Sequence, residues 1–193
     1  MSSYIDNKTD SINTKESENL ENINELKQPP TEQLLGLSIS LILEELINQN
    51  RNLNIYPKKV YDQSKMVFSC HKKPKISLLD YINRIIKYTY LEKSTLIISL
   101  IYLDRICQND ILLTDYNIHR LLFISIIISI KMNEDRVYAN DYYAQVAGVP
   151  LKELNNIESE FLVLNNFNFF VSEEEYLKYK IYLEKGCKNL KKP

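Results

Sequence analysis

The chain has 193 residues, 24 Lys+Arg against 25 Asp+Glu, and 45% apolar residues. That suits one compact domain with extensions, and the near-zero net charge excludes a general field for coating nucleic acid or an anionic membrane. With only three glycines and six prolines, a turn-rich β-sandwich or barrel lacks its punctuation, and an all-α protein is expected.

Residues 1–30 carry Ser, Thr, Asn, Lys and Glu with isolated Ile and Leu, ending in Pro29-Pro30. Such a segment buries too little apolar surface to offset the entropy of ordering, so disorder is predicted. From Thr31, which can cap Gln33 or Leu34, the apolar residues Leu34, Leu35, Leu37, Leu41, Ile42, Leu46 and Ile47 recur at helical spacing. An amphipathic helix over 31–50 follows. Residues 51–75 then hold seven bases against the single acid Asp62, a balance of about +6, and form a basic connector with interleaved aromatic and apolar residues.

Five helices with short joins are predicted over 76–171. In the first, Ser77 and Asp80 form a capping box ahead of Leu78, Leu79, Ile82, Ile85 and Ile86. The second spans about 93–108 on Leu96, Ile97, Leu100, Ile101, Leu103 and Ile106. Thr114 caps the third, which runs to about Asn133 and is apolar almost all round. Its longest apolar run, Leu121 to Ile130, is roughly half of what spans a bilayer, so this helix belongs at the centre of a bundle and no membrane insertion is expected. Ser125 and Ser129 make a small-residue stripe for close packing. A short fourth helix, about 141–147, stops at Gly148, and Pro150 opens the fifth, about 151–166, with Leu154, Ile157, Phe161 and Leu164 inward. Ser172 with Glu175 is a second capping box, opening a C-terminal helix and tail over 172–193.

Catalytic chemistry is thinly provided. Glycines only at 36, 148 and 186 exclude a phosphate-cradling loop. Cys70-His71 has no second Cys or His at metal-ligand spacing, so no metal and no cofactor is expected. His119 reads as structural, and the pair Glu134-Asp135 as an exposed helix end rather than an acid–base couple. Three scattered cysteines and no positive-then-apolar start point to an intracellular compartment, cytoplasm or nucleus. The expectation is a binding protein, not an enzyme.

Several segments carry a family likeness in the right order: KISLLDYINRIIKYT at 75–89, SLIYLDR at 99–105, NIHRLL at 117–122 with SIKMNED at 129–135, YANDYYAQVAGV at 138–149 and ELNNIESEFL at 153–162. Together they resemble a cyclin box, over about residues 74–182. The tyrosine-asparagine-tyrosine-glycine spacing and the His-Arg-Leu-Leu segment are similar to those of Pho-type (P/U-type) cyclins. About twenty residues follow Phe170, too few for a second helical domain of this kind, which also resembles single-box Pho-type cyclins.

The resemblance implies a regulatory subunit without catalysis of its own, which docks the C-helix of a cyclin-dependent protein kinase in cell-cycle or nutrient and phosphate signalling. A kinase-independent adaptor on the same scaffold is the alternative reading. The family's kinase-contact lysine and glutamate map to Lys131 and Glu158, with an ordinary internal ion pair as the competing reading. Ile128, Met132, Leu162 and Phe169 surround them as apolar contacts, unless Leu162 and Phe169 instead pack under the N-terminal helix. Asp135 meets an arginine of the kinase activation segment in this scheme, or is a solvated helix end. Arg84 and Asp104 match an internal structural salt bridge between the first two box helices. The basic connector is a candidate for docking a protein substrate; nucleic acid is not an expected partner.

Overall fold

The computed structural model describes residues 31–52, 67–109 and 111–190, with side chains to Cys187. The tail predicted to be disordered, and Lys58 and Lys59 of the connector, lie outside the described residues. Those described form seven helices and no strand: α1 (Glu32–Asn52), α2 (Leu78–Thr89), α3 (Lys93–Cys107), α4 (Ile118–Asn133), α5 (Asn140–Ala147), α6 (Leu151–Leu164) and α7 (Glu173–Leu190).

Helix α4 is the axis. From Ile118 to Ile130 every residue but Arg120 is buried, and α2, α3 and α6 pack around it. The small-residue stripe works as expected, with two distinct partners. Ser125 Oγ donates to Leu122 O within its own helix, whereas Ser129 Oγ crosses to Thr95 O of α3, 2.8 Å away. A hydroxyl that reaches a neighbouring backbone needs close helix axes, which larger residues at 129 would prevent. Helix α5 lies on α2 and α6, and α1 and α7 flank the bundle against each other and against α3.

Local chemistry sets the ends. Thr31 Oγ1 accepts from Leu34 N at 3.2 Å, and Ser77 Oγ from Asp80 N at 3.0 Å, while the Ser77 hydroxyl donates to the Asp80 carboxylate. Gly148, at φ +73°, closes α5 in the left-handed region, and Pro150 directly precedes α6. Gly36 serves a different purpose. A Cβ there would meet Ile82 Cγ2 at 2.9 Å and Ile86 Cδ1 at 3.2 Å, so α1 sits on α2 at a distance only glycine permits.

Two expected starts are corrected. Thr114 does not cap α4; it opens a turn in which Asn117 Oδ1 accepts from Thr114 N, and the helix begins four residues later, at Ile118. In the second capping box only half forms. Glu175 N donates to Ser172 Oγ, but the Glu175 carboxylate pairs with Arg105 instead of returning to the cap.

The predicted link between Arg84 and Asp104 is also corrected. Arg84 Nη2 donates to Gln145 O, tying α2 to α5, while Asp104 accepts from Tyr179 Oη at 2.9 Å, tying α3 to α7. Burial and the contact with Asp104 push the Tyr179 phenol well above its ordinary range, so it stays a donor. The ion pair of this region belongs to the next residue, Arg105, with Glu175. A one-residue step on a helix turns the side chain by about 100°, and that decides which neighbour it meets.

Candidate functional site

The last turn of α4 delivers Lys131 to the surface, where a cation suits the negative end of the helix dipole. The helix stops because Glu134 is extended, and Glu134 Oε1 accepts from Glu92 N at 2.9 Å, capping the start of α3 from outside. Glu134 is therefore structural, and its neighbour Asp135 is exposed.

Lys131 Nζ donates to Glu158 Oε1 on α6 at 2.5 Å and to Asn140 Oδ1, the first residue of α5, at 2.6 Å. Asn140 Nδ2 in turn donates to Glu158 Oε2 at 2.6 Å and to Asn155 Oδ1 at 2.8 Å. The Lys131 and Glu158 side chains are 25% and 14% exposed, so this is a partly desolvated ion pair at the junction of three helices. Lys131 and Glu158 are thus paired with each other, as the internal ion-pair reading has it, and each keeps part of its side chain exposed.

The apolar surroundings divide sharply. Met132 is 56% exposed and Leu162 half-buried. Ile128 is buried in the core, and this corrects its assignment as a contact. Phe169 is corrected in the same way: it is buried, its ring edge-on to Tyr102 with centroids 5.1 Å apart. Its ring thus packs against α3.

Other apolar residues in this part of the chain, which the sequence reading missed, are the exposed ones. Val163 and Phe167 lie exposed, and Phe170 is 79% exposed. Helix α6 ends through Asn166 and Phe167 at φ +52° and +55°, two consecutive left-handed residues without a glycine, an uncommon and strained arrangement. Three bonds hold the stretch of chain that follows. Tyr102 Oη donates to Phe169 O at 2.8 Å, Arg105 Nη1 to Asn168 O at 3.0 Å and Arg105 Nη2 to Phe170 O at 2.8 Å. Beside it Met132, Ile98, Phe170 and Tyr176 line an open hollow of about 570 Å³. The signal in the sequence was the cluster Phe167-Asn-Phe-Phe170 directly after a helix, too hydrophobic for an ordinary loop.

The end of the connector is fastened to the bundle. Arg120 donates to Val67 O and Ser69 O and pairs with Glu153 of α6. Asp115 receives Lys73 and Arg51; burial acts to raise its carboxyl, but these hydrogen bonds outweigh it and hold the pKa below the usual value. Lys72, Lys73 and Lys75 remain exposed. Burial raises both the Cys70 and the Cys107 thiols, the latter to about 12, so neither is an activated nucleophile. Among the described residues no group of three or more His, Cys, Asp or Glu is placed to hold a metal ion, and no helix is long and apolar enough to cross a membrane.

With this geometry in view, the relationships are specific. The sequence model of the family described as Cyclin matches residues 6–169, which takes in α1 as well as the five helices that follow. Cyclin-U2-1 of Arabidopsis thaliana is 39% identical over 123 residues, covering 62% of this chain and 54% of that protein. PHO85 cyclin-like protein psl1 of Schizosaccharomyces pombe is 38% identical over 117 residues, 59% of this chain and 48% of that one. Cyclin-U4-1 of Arabidopsis thaliana is 32% identical over 165 residues, 83% of this chain and 80% of the relative. The chain thus spans about half the length of the first and second of these proteins and most of the third. An all-helical bundle around a buried α4, with these matches, places the chain in the cyclin family, among the Pho-type cyclins.

Proposed function

We propose that the chain is a regulatory subunit that binds and activates a cyclin-dependent protein kinase, docking the kinase C-helix on the face formed by Lys131, Glu158, Met132 and Leu162, with Phe170, which lines one hollow with Met132, at its edge. The observation that carries this is the partly exposed Lys131–Glu158 pair, with exposed Met132 next to Lys131 on α4 and half-buried Leu162 one turn after Glu158 on α6. A desolvated ion pair gives directional hydrogen bonds, and aromatic and thioether groups beside it supply area that gains by leaving water. Two yeast relatives are named as PHO85 cyclins or cyclin-like proteins, and this supports a kinase of that kind as the partner. Helix docking fits what a kinase needs, since its active-site Lys–Glu pair forms only when the C-helix is held inward.

In this reading Asp135, exposed just beyond α4, receives an arginine of the activation segment. The exposed Lys72 and Lys73, with Lys58 and Lys59, dock an acidic stretch of the protein substrate. Neutralising these four lysines then raises the substrate KM without loosening the kinase. The pathway served is cell-cycle or nutrient and phosphate signalling. The test is direct: purified chain added to a purified cyclin-dependent kinase raises phosphorylation of a peptide substrate in a saturable way. Kinase activity that stays at its basal level over micromolar additions refutes the reading.

A further inference from the structure

We propose that Asn140 is the positioning residue of the docking face, holding Lys131 and Glu158 in their presenting orientation before any kinase arrives. The inference rests on the docking function proposed above. Lys131, Asn140 and Glu158 close a ring: the ammonium donates to both partners, and the amide donates to the carboxylate oxygen that the ammonium does not reach. Asn140 commits its whole donor capacity here, since its second N–H goes to Asn155 Oδ1. The ring leaves one ammonium N–H of Lys131 and the outer lone pairs of Glu158 uncommitted, and these are what a partner helix's backbone C=O and N–H can engage.

A free lysine and glutamate sample many rotamers, and a partner that must freeze them loses affinity by that amount. Here the freezing is done by a third helix. The residue type is dictated by the geometry. An aspartate in place of Asn140 would set a second carboxylate against Glu158, whereas a serine at this first residue of α5 is too short to accept from one group and donate to another. The backbone entry to α5 is itself fixed, because Tyr143 Oη accepts from Tyr138 N at 3.1 Å.

The experiment measures affinity for a recombinant cyclin-dependent kinase of the kind for which the yeast relatives are named, by calorimetry, with wild-type chain, Asn140→Ala, Asn140→Asp, Glu158→Ala and Asn140→Ala/Glu158→Ala. Asn140→Ala is expected to weaken binding about tenfold and Asn140→Asp further, while Asn140→Ala in the Glu158→Ala background costs less than about threefold, because half of what it positions is gone. An equal loss in both backgrounds marks a merely structural residue and overturns the proposal. So does wild-type affinity for Asn140→Ala when Glu158→Ala binds weakly. If Glu158→Ala binds like wild type, the docking reading itself fails, and the inference with it. A second readout needs no kinase. The Lys131 ammonium in the free full chain, followed by nitrogen-15 NMR, should exchange its protons with water several-fold faster in Asn140→Ala; unchanged exchange overturns the proposal even where binding falls.

Discussion

Arg105→Ala removes the clasp on the segment that carries Phe167 and Phe170. In the native chain this guanidinium, on a side chain 20% exposed, serves Asn168 O, Phe170 O and the Glu175 carboxylate. Hydrogen bonds from a charged donor contribute about 1.5–3 kcal/mol each when shielded, and a partly exposed ion pair about 0.5–1 kcal/mol. Water reaches part of this site and reclaims some of that, so we expect a loss of about 2–4 kcal/mol. For a chain of this size that is roughly 5–15 °C in Tm. The chain has no Trp, so far-UV circular dichroism is the probe, by heat and by urea. Arg105→Lys is the control: it keeps the charge but lacks the planar fork that spans two carbonyls, and should recover less than half of the loss. A destabilisation under about 0.5 kcal/mol, or full recovery with lysine, would refute the claim that the fork holds this segment.

Gly36→Val should cost about 1–3 kcal/mol, because its Cβ is driven into Ile82 and Ile86 and α1 must lift from α2; an unchanged urea midpoint contradicts that packing. His119 should make stability depend on pH. The ring is largely buried, Nε2–H donates to Ile76 O and Nδ1 has no partner; burial lowers its pKa, with the Ile76 bond opposing. The folded chain therefore prefers neutral His119, while the unfolded chain takes up a proton below about pH 6.5. The contribution is complete above that pH and is lost as the pH falls below it. His119→Gln should flatten the fall in urea midpoint between pH 7.5 and 5.5, and an equal fall in both proteins would sink this assignment.

The fold was readable because its strongest signals are one-dimensional. A helix apolar on every side could only be central, and α4 is; Ser77, Gly148 and Pro150 mark ends by chemistry that acts within a few residues. What failed depended on direction across the bundle. Thr114 is a good cap in type, but its Oγ1 accepts from Tyr116 N in a turn that Asn117 closes onto Thr114 O, and α4 starts only after that turn. Ile128 lies three residues before Lys131 on one helix, yet its side chain faces the core while the lysine faces out. Phe169 and Phe170 are adjacent and chemically identical, yet one is buried against the Tyr102 ring and the other exposed, in a stretch whose backbone Tyr102 and Arg105 hold. Asn140 was invisible as a site residue because its role is relational. It matters only once α4, α5 and α6 meet.

The central claim is that Lys131 and Glu158 are the polar heart of a kinase-docking face. Its most direct test is the dissociation constant of the purified full chain for a cyclin-dependent kinase, wild type against Lys131→Ala/Glu158→Ala, with the helical circular dichroism spectrum of both chains recorded alongside. The account expects the double variant to keep its helical spectrum and to bind at least about a hundredfold more weakly, the scale of a hot-spot loss. A folded double variant that binds as tightly as wild type would contradict it.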